Sequence, residues 1–318
     1  MKKAICLAVS IVFIAAGVIL SLPGISVSAG AASGTEITTP EEFAALAKRY
    51  ACGGAEGSEY TSAVMYDRIH YSVEKTAFDR IMTVRFAENG TLYSVTAVLK
   101  DGAKNVHLLI GYDLMTVGEK TYLKLNKYED LSGGEQNAIL QSSMASNRGK
   151  WIDLTGGSFD GKNSEDLTVY TAASDMSAAL FNTVKTVNGM SGSEAGLAAN
   201  LLAEYGKDSG YFDKNGNIYK LNKAGQSRIL EVLNTPEDSG TFTLGLNLSD
   251  PARPKLRYSA AFEPVSEGSG STVRVDETLE FCGVNTTKIN SDVSSISVYA
   301  WLGDAVRAHL RDSKAAGR

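Results

Sequence analysis

The sequence predicts an α+β protein: one curved antiparallel sheet built from both ends of the chain, with helices from the middle laid on its concave side. Three observations carry this. Apolar and polar residues alternate with period two in the N-terminal and C-terminal thirds, apolar residues recur at helical spacing between them, and turn signals such as Asn89-Gly90 join neighbouring strands as hairpins. Of 318 residues, 43% are hydrophobic and 21% charged, which supplies a core and excludes wholesale disorder. The net charge of −5 argues against nucleic acid as a partner, whose binders need a basic surface.

The first helix opens at Thr39-Pro40-Glu41-Glu42, a capping box with Pro at the first helical position, and Phe43, Leu46 and Ala47 form its apolar face. It ends near Cys52-Gly53-Gly54. Residues 61–126 then read as five or so short strands. Met82, Val84 and Phe86 alternate in one; Tyr93, Val95, Ala97 and Leu99 in the next; Val106, Leu108 and Ile110 follow a turn at Asp101-Gly102. Hairpins so close together form an antiparallel meander, and its apolar face must be covered.

The middle of the chain supplies the cover. Residues 131–144 read as a helix weakened by Gly133-Gly134, and residues 150–154 as a short strand. Helical spacing recurs in Met176, Leu180, Phe181, Val184 and Val187, then in Leu197, Leu201 and Tyr205. A hairpin turns at Asp213-Lys214-Asn215-Gly216-Asn217, and a short helix ends on Ile229, Val232 and Leu233. The C-terminal third returns to strands. Phe242, Leu244, Leu246 and Leu248 alternate, as do Leu256, Tyr258, Ala260 and Phe262, then Val273, Val275, Leu279 and Phe281, with Glu277 as the polar interruption. A closing helix spans Val298, Trp301, Leu302, Ala305, Val306 and Leu310, and 313–318 are expected to fray. Two separate domains are the alternative, but no linker rich in Pro or charge divides the halves.

Lys2 and Lys3 precede an apolar run over 5–22, ended by Pro23-Gly24, with Val27-Ser28-Ala29 at a cleavage position. This is an export signal over 1–29, or an uncleaved anchor of nearly the same length. Either places the remainder outside the cytoplasm, as a secreted or cell-envelope protein. Residues 30–38 form a linker, 39–290 the main domain, and 291–318 a helical extension. Cys6 comes too early for a lipoprotein anchor. Cys52 and Cys282 permit one disulfide in an oxidising compartment, or stand as two separate buried thiols.

Catalytic patterns are weak. His70, His107 and His309 have no paired metal-ligand spacing, and Gly189-Met190-Ser191-Gly192-Ser193 lacks the second Gly of a nucleophile elbow. The Asp213–Asn217 turn lacks the Glu that closes a calcium loop. Asn89, Asn247 and Asn285 each begin a short glycosylation pattern, which also arises by chance. No catalytic residue, metal site or cofactor is expected. What remains is shape: an apolar sheet face under helices either fills with its own side chains or holds an apolar ligand. A long acyl chain gains about 0.8 kcal/mol per buried CH₂ in such a refuge.

Three segments bear on that choice. Val117-Gly118-Glu119-Lys120-Thr121-Tyr122-Leu123-Lys124-Leu125 resembles a sheet strand of the bacterial LolA-like superfamily. Gly149-Lys150-Trp151-Ile152-Asp153-Leu154 resembles the strand that follows it in the LppX/LprG lipoprotein branch. Leu279-Glu280-Phe281-Cys282-Gly283-Val284-Asn285-Thr286-Thr287-Lys288-Ile289 is similar to that branch's last strand and tail. The resemblance implies a half-open antiparallel barrel with helices over its mouth, which binds lipids, acylated molecules or lipoproteins without chemistry. The chain departs from the branch in lacking a Cys at the end of its signal and in the helix over 298–310.

The resulting expectation is a non-enzymatic carrier or sensor of hydrophobic molecules. Its floor would be Met82, Val84, Phe86, Val95, Leu99, Leu108, Ile110, Phe242, Leu244 and Tyr258, and its lid Met176, Leu180, Phe181 and Val184. Arg85 and Glu277 are the ionic residues that could enter the cavity. Its partners would be a hydrophobic small molecule or lipid and, by location, a membrane surface. The competing expectations are an extracytoplasmic interaction or scaffold module with a filled core, and a hydrolase with an unrecognised site.

Overall fold

Glu42 donates its amide to Thr39 Oγ1 at 3.2 Å, while Glu42 Oε2 accepts the amides of Thr38 and Thr39 at 2.7 and 2.9 Å. The expected capping box therefore closes, and helix α1 (Pro40–Ala51) follows with Phe43, Leu46 and Ala47 buried. Burial pulls the Glu42 carboxyl up, but the hydrogen bonds from Thr38 and Thr39 outweigh it and hold the group below the usual glutamate value.

The computed structural model describes residues 34–51, 60–73, 76–101, 105–130, 135–155, 164–189, 210–232, 240–262 and 272–315. The expected export segment, Cys52, and the spacing of Leu197, Leu201 and Tyr205 lie outside them. After α1 come β1 (Ala63–Val73), β2 (Thr76–Ala87), β3 (Gly90–Asp101), β4 (Asn105–Val117) and β5 (Lys120–Asp130). Then follow α2 (Glu135–Ser146), β6 (Trp151–Asp153), α3 (Ser164–Gly189), β7 (Phe212–Asn215), β8 (Ile218–Leu221) and α4 (Lys223–Val232). The chain closes with β9 (Gly240–Asn247), β10 (Lys255–Phe262), β11 (Val273–Cys282), β12 (Ser295–Ser297) and α5 (Val298–Ala315).

The protein is α+β, with a mostly antiparallel sheet of twelve strands in the order β12-β6-β5-β4-β3-β2-β1-β11-β10-β9-β8-β7. Only β12 runs parallel to its neighbour, β6, among the described pairings. The first five strands are not short: β1 to β5 have 11, 12, 12, 13 and 11 residues. They run on through positions that break strict alternation, such as Asn126. Two compact units are present, one of Met1–Glu88, Val98–Val106 and Ser191–Lys288, the other of Asn89–Ala97, His107–Met190 and Ile289–Arg318.

In the first unit β1 lies between β2 and β11, so strands from the two ends of the chain share one sheet. Directly opposed residues in an antiparallel pair point to the same face. One transverse row reads Met82, Asp67, Leu279, Leu256, Leu246 across β2, β1, β11, β10 and β9. The row beside it reads Arg80, Ile69, Glu277, Tyr258, Leu244. All ten are buried, and they define the inner face. Helix α1 covers one end of it, where Phe43 meets Phe281 edge to face with ring centroids 5.4 Å apart.

Beyond β11 the backbone turns at Asn285, which has a φ of 60°. Its Oδ1 accepts the Thr61 amide at 2.8 Å, its Nδ2 donates to Thr35 Oγ1 at 2.9 Å, and its own amide reaches the Ser62 carbonyl at 2.6 Å. Asn tolerates this left-handed geometry because its short polar side chain bonds locally. Those bonds tie the segment before α1 to the start of β1 and the end of β11.

In the second unit the inward positions of β5 are Leu123, Leu125 and Tyr128, facing Leu114, Tyr112 and Ile110 on β4. The register steps from Gly111↔Lys127 to Tyr112↔Leu125, so Asn126 has no directly opposed residue, and its Nδ2 donates instead to Asp113 Oδ2 at 3.3 Å. This β-bulge keeps the apolar set on one face although the spacing from Leu125 to Tyr128 is three. Helix α2 is fastened to β5, with Asn137 donating to the Asp130 carbonyl at 2.8 Å and Gln141 to that of Tyr128. It is also fastened to α5, where Ser143 and Asn147 donate to the Trp301 carbonyl at 2.6 and 3.2 Å. The Asn89-Gly90 turn forms as expected: Gly90 has a φ of 155°, and a Cβ there would strike the Thr116 carbonyl.

Asn285→Ala is expected to lower stability by about 2–3 kcal/mol, combining left-handed strain with lost hydrogen bonds. Urea unfolding measures this. A loss below about 0.5 kcal/mol, the size typical of a neutral surface change, would refute the tie.

Candidate functional site

The inner face of the first unit gathers Met82, Val84 and Phe86 from β2, Phe242 and Leu244 from β9, and Tyr258 from β10. All six are buried, and the Phe242 and Tyr258 rings stack with centroids 6.1 Å apart. Leu99 belongs to the same unit and is half-buried. The other expected positions, Val95, Leu108, Ile110, Met176, Leu180, Phe181 and Val184, belong to the second unit. There Ile110 and Val184 are 0% exposed, Val95 and Leu180 are buried, and Leu108, Met176 and Phe181 are half-buried. Helix α3 meets β4 where the Tyr112 phenol donates to Asn188 Oδ1 at 2.6 Å, with the Val184 carbonyl 3.3 Å away.

The inner face of the first unit also carries charge. Asp67 on β1 and Arg80 on β2 form an ion pair, and both side chains are 0% exposed. They are diagonal neighbours, because Asp67 lies opposite Met82 and Arg80 opposite Ile69. Glu277 lies opposite Ile69 on the other side and opposite Tyr258 on β10, so Arg80, Glu277 and Tyr258 share one row. Glu277 is 2% exposed and Tyr258 4%. Taking ions out of water costs several kcal/mol each before pairing compensates, so a group like this on an apolar face is expensive to keep.

Of the ionic residues expected near the cavity, Glu277 is on this face and Arg85 is not. Arg85 lies opposite Val64 on β1, one position out of phase with Met65, and points to the outward face. Asp67 and Arg80 were not among the residues singled out in the sequence. The available signal was their phase: Asp67 falls between Met65 and Ile69, and Arg80 between Phe78 and Met82, in step with the buried set.

The outward face of the same sheet is polar. His70 and Asp79 are directly opposed, with Nδ1 and Oδ1 2.7 Å apart. The hydrogen bond to Asp79 raises the His70 pKa, burial opposes it, and the charges of Asp79 and Asp276 add to the rise. Glu280 receives Arg253 at 2.5 Å and Lys255 at 3.2 Å. Burial pushes the Cys282 thiol up. Among the described residues Cys282 has no disulfide partner, while Cys52 lies outside them. Of the glycosylation patterns, the one at Asn285 has its amide committed to Thr35. Among the described residues no three His, Cys, Asp or Glu side chains gather as a metal site needs, and no helix is long and apolar enough to cross a membrane.

Arg80→Met is expected to cost about 3–5 kcal/mol, because it strands a buried Asp67 carboxylate, whereas the double change Asp67→Leu with Arg80→Met should cost less than the two single changes summed. Urea unfolding of the two variants tests this, and additive losses from the two positions would contradict the pairing. The raised His70 pKa means that its bond to Asp79 stabilises the fold fully below about pH 6.5, and that this is lost as pH rises through the folded value. An NMR titration should find His70 above the ordinary imidazole range, and Asp79→Asn should return it; a normal midpoint in the unaltered protein would exclude the bond.

No family model matches the chain, and neither does any curated protein or solved structure.

Proposed function

We propose that this is an extracytoplasmic, non-enzymatic protein that binds or carries a hydrophobic molecule with a polar head. The observation that carries this reading is the inner face of the first unit, an apolar surface on which Asp67, Arg80, Glu277 and Tyr258 converge. Sites for amphiphilic ligands have this composition, largely apolar with a few placed polar groups that orient the ligand. Apolar residues of similar volume often replace buried ionic groups without loss of stability, so the presence of two carboxylates and a guanidinium on this face supports a role in orienting a ligand as well as in fixing the register.

The resemblance to the LolA-like superfamily and its LppX/LprG branch supports the same reading, including a half-open barrel as the form of the sheet. Its three segments fall on structural features of this chain. The first spans the β4–β5 turn, where Gly118 has a φ of 57°. The second is β6, and the third ends in the left-handed turn at Asn285. The charged start and apolar run over 5–22 support export or anchoring in the envelope.

A second reading, an interaction or scaffold module with a filled core, has its own support. Met82 and Val84, expected on the floor of a cavity, are 0% exposed, so protein atoms enclose both completely.

Organic extraction of the natively purified full chain, followed by mass spectrometry, separates the two. The carrier reading expects a bound amphiphile near one per chain, and several-fold less of it in Tyr258→Phe, which removes one hydroxyl from the face. Repeated preparations with no such molecule would overturn the carrier reading and leave the filled core.

A further inference from the structure

On the outward face of the first unit's sheet, one transverse row reads Ile81, Arg68, Thr278, Arg257, Gly245, Lys220 across β2, β1, β11, β10, β9 and β8. It holds three cations, and its one carboxylate is Asp213, exposed opposite Lys220 on the edge strand β7. Arg68, Arg257 and Lys220 are all exposed, and none forms an ion pair among the described residues. They stand two strands apart, so neighbouring cations are separated by roughly 10 Å and the row spans roughly 20 Å.

The other carboxylates of this face lie outside the row. Asp79 is held by His70, and Glu280 by Arg253 and Lys255. Asp276 is exposed in the next row. Arg274, also exposed, adds a further cation beyond Asp276. A chain with a net charge of −5 therefore carries an excess of cations over carboxylates on one sheet surface.

We propose that this face docks on the headgroups of an anionic lipid membrane. Its chemistry separates that partner from an acidic protein. Protein interfaces are anchored by buried aromatic or aliphatic side chains in a central pocket. Here the exposed positions are Arg, Lys, Asp, Asn and Thr, and the one exposed large hydrophobic residue among those described, Leu167, belongs to the other unit. A broad row of spaced cations without such an anchor suits a fluid, laterally adaptable negative surface, where each Lys or Arg contributes independently and salt screens the attraction. The proposal does not depend on the inner face holding a ligand, and a protein without cargo would dock in the same way.

The test is amine acylation of the full chain, read residue by residue by mass spectrometry, with vesicles of phosphatidylcholine alone or mixed with phosphatidylglycerol. Lys220 and Lys255 should be acylated several-fold less on the anionic vesicles, with the difference lost in 1 M salt. Arg68→Gln with Arg257→Gln should weaken docking about 25-fold, at about five-fold per cation, and remove the protection of Lys220. Unchanged thermal melting would show that this variant is folded. Equal acylation on both vesicles would overturn the proposal. So would protection that persists in the double variant, or protection by a soluble polyanion such as polyphosphate but not by the vesicles.

Discussion

Strand β1 is held on both sides, by β2 and by β11 from the far end of the chain, and its register is the constraint on which the first unit depends. A slip of one residue on either side would turn Met65, Ile69 and their neighbours to solvent and bring Arg68 and His70 into the core. The register is over-determined. The hydrophobic phase specifies it along the strand, the Asp67–Arg80 pair specifies it toward β2, and the Asn285 bonds to Thr61 and Ser62 specify it at the β11 end. The pair and the Asn285 bonds would be lost in any other alignment, and the hydrophobic phase in any shift by an odd number of residues.

The same register gives the sheet two chemically opposite faces. Inward, the row through Arg80, Ile69, Glu277 and Tyr258 places ionic and phenolic groups among apolar side chains. Outward, one step along the strands, the row through Arg68 and Arg257 places cations in water. The energetics differ accordingly. The inner group is costly, and any one partner removed leaves another stranded in low dielectric. The outer cations are hydrated and individually weak, so they act only as a set and only at low to moderate salt.

The second unit solves a related problem by other means. Helices α2 and α5 are joined through the Trp301 carbonyl, and α2 to β5 through backbone carbonyls at Tyr128 and Asp130. The bulge at Asn126 is what allows Tyr128 to stay on the face of Leu125 and beside α2. Without it, the last turn of apolar surface on β5 would point away from the helix.

Elements whose information is local were legible in the sequence. The capping box at Thr39, the Asn89-Gly90 turn, the alternating β9 to β11 and the closing helix α5 each depend on residues a few positions apart, where side-chain periodicity and turn chemistry act directly. Strand lengths were less legible, because β5 continues through a bulge that strict alternation reads as an end. The site was legible in its apolar half and not in its ionic half. Met82, Phe242 and Tyr258 announce themselves by phase, but Asp67 and Arg80 carry the same phase with the opposite polarity, and a strand taken alone gives no reason to bury them. That reason exists only when β2, β1 and β11 are side by side and a charge on one strand meets its partner on the next. The sequence by itself thus determined the α+β class, the apolar phase of each strand and the turns between neighbours. Tertiary structure decided which strands meet across more than two hundred residues, because pairing free energy between β1 and β11 is realised only after the loop between them has closed.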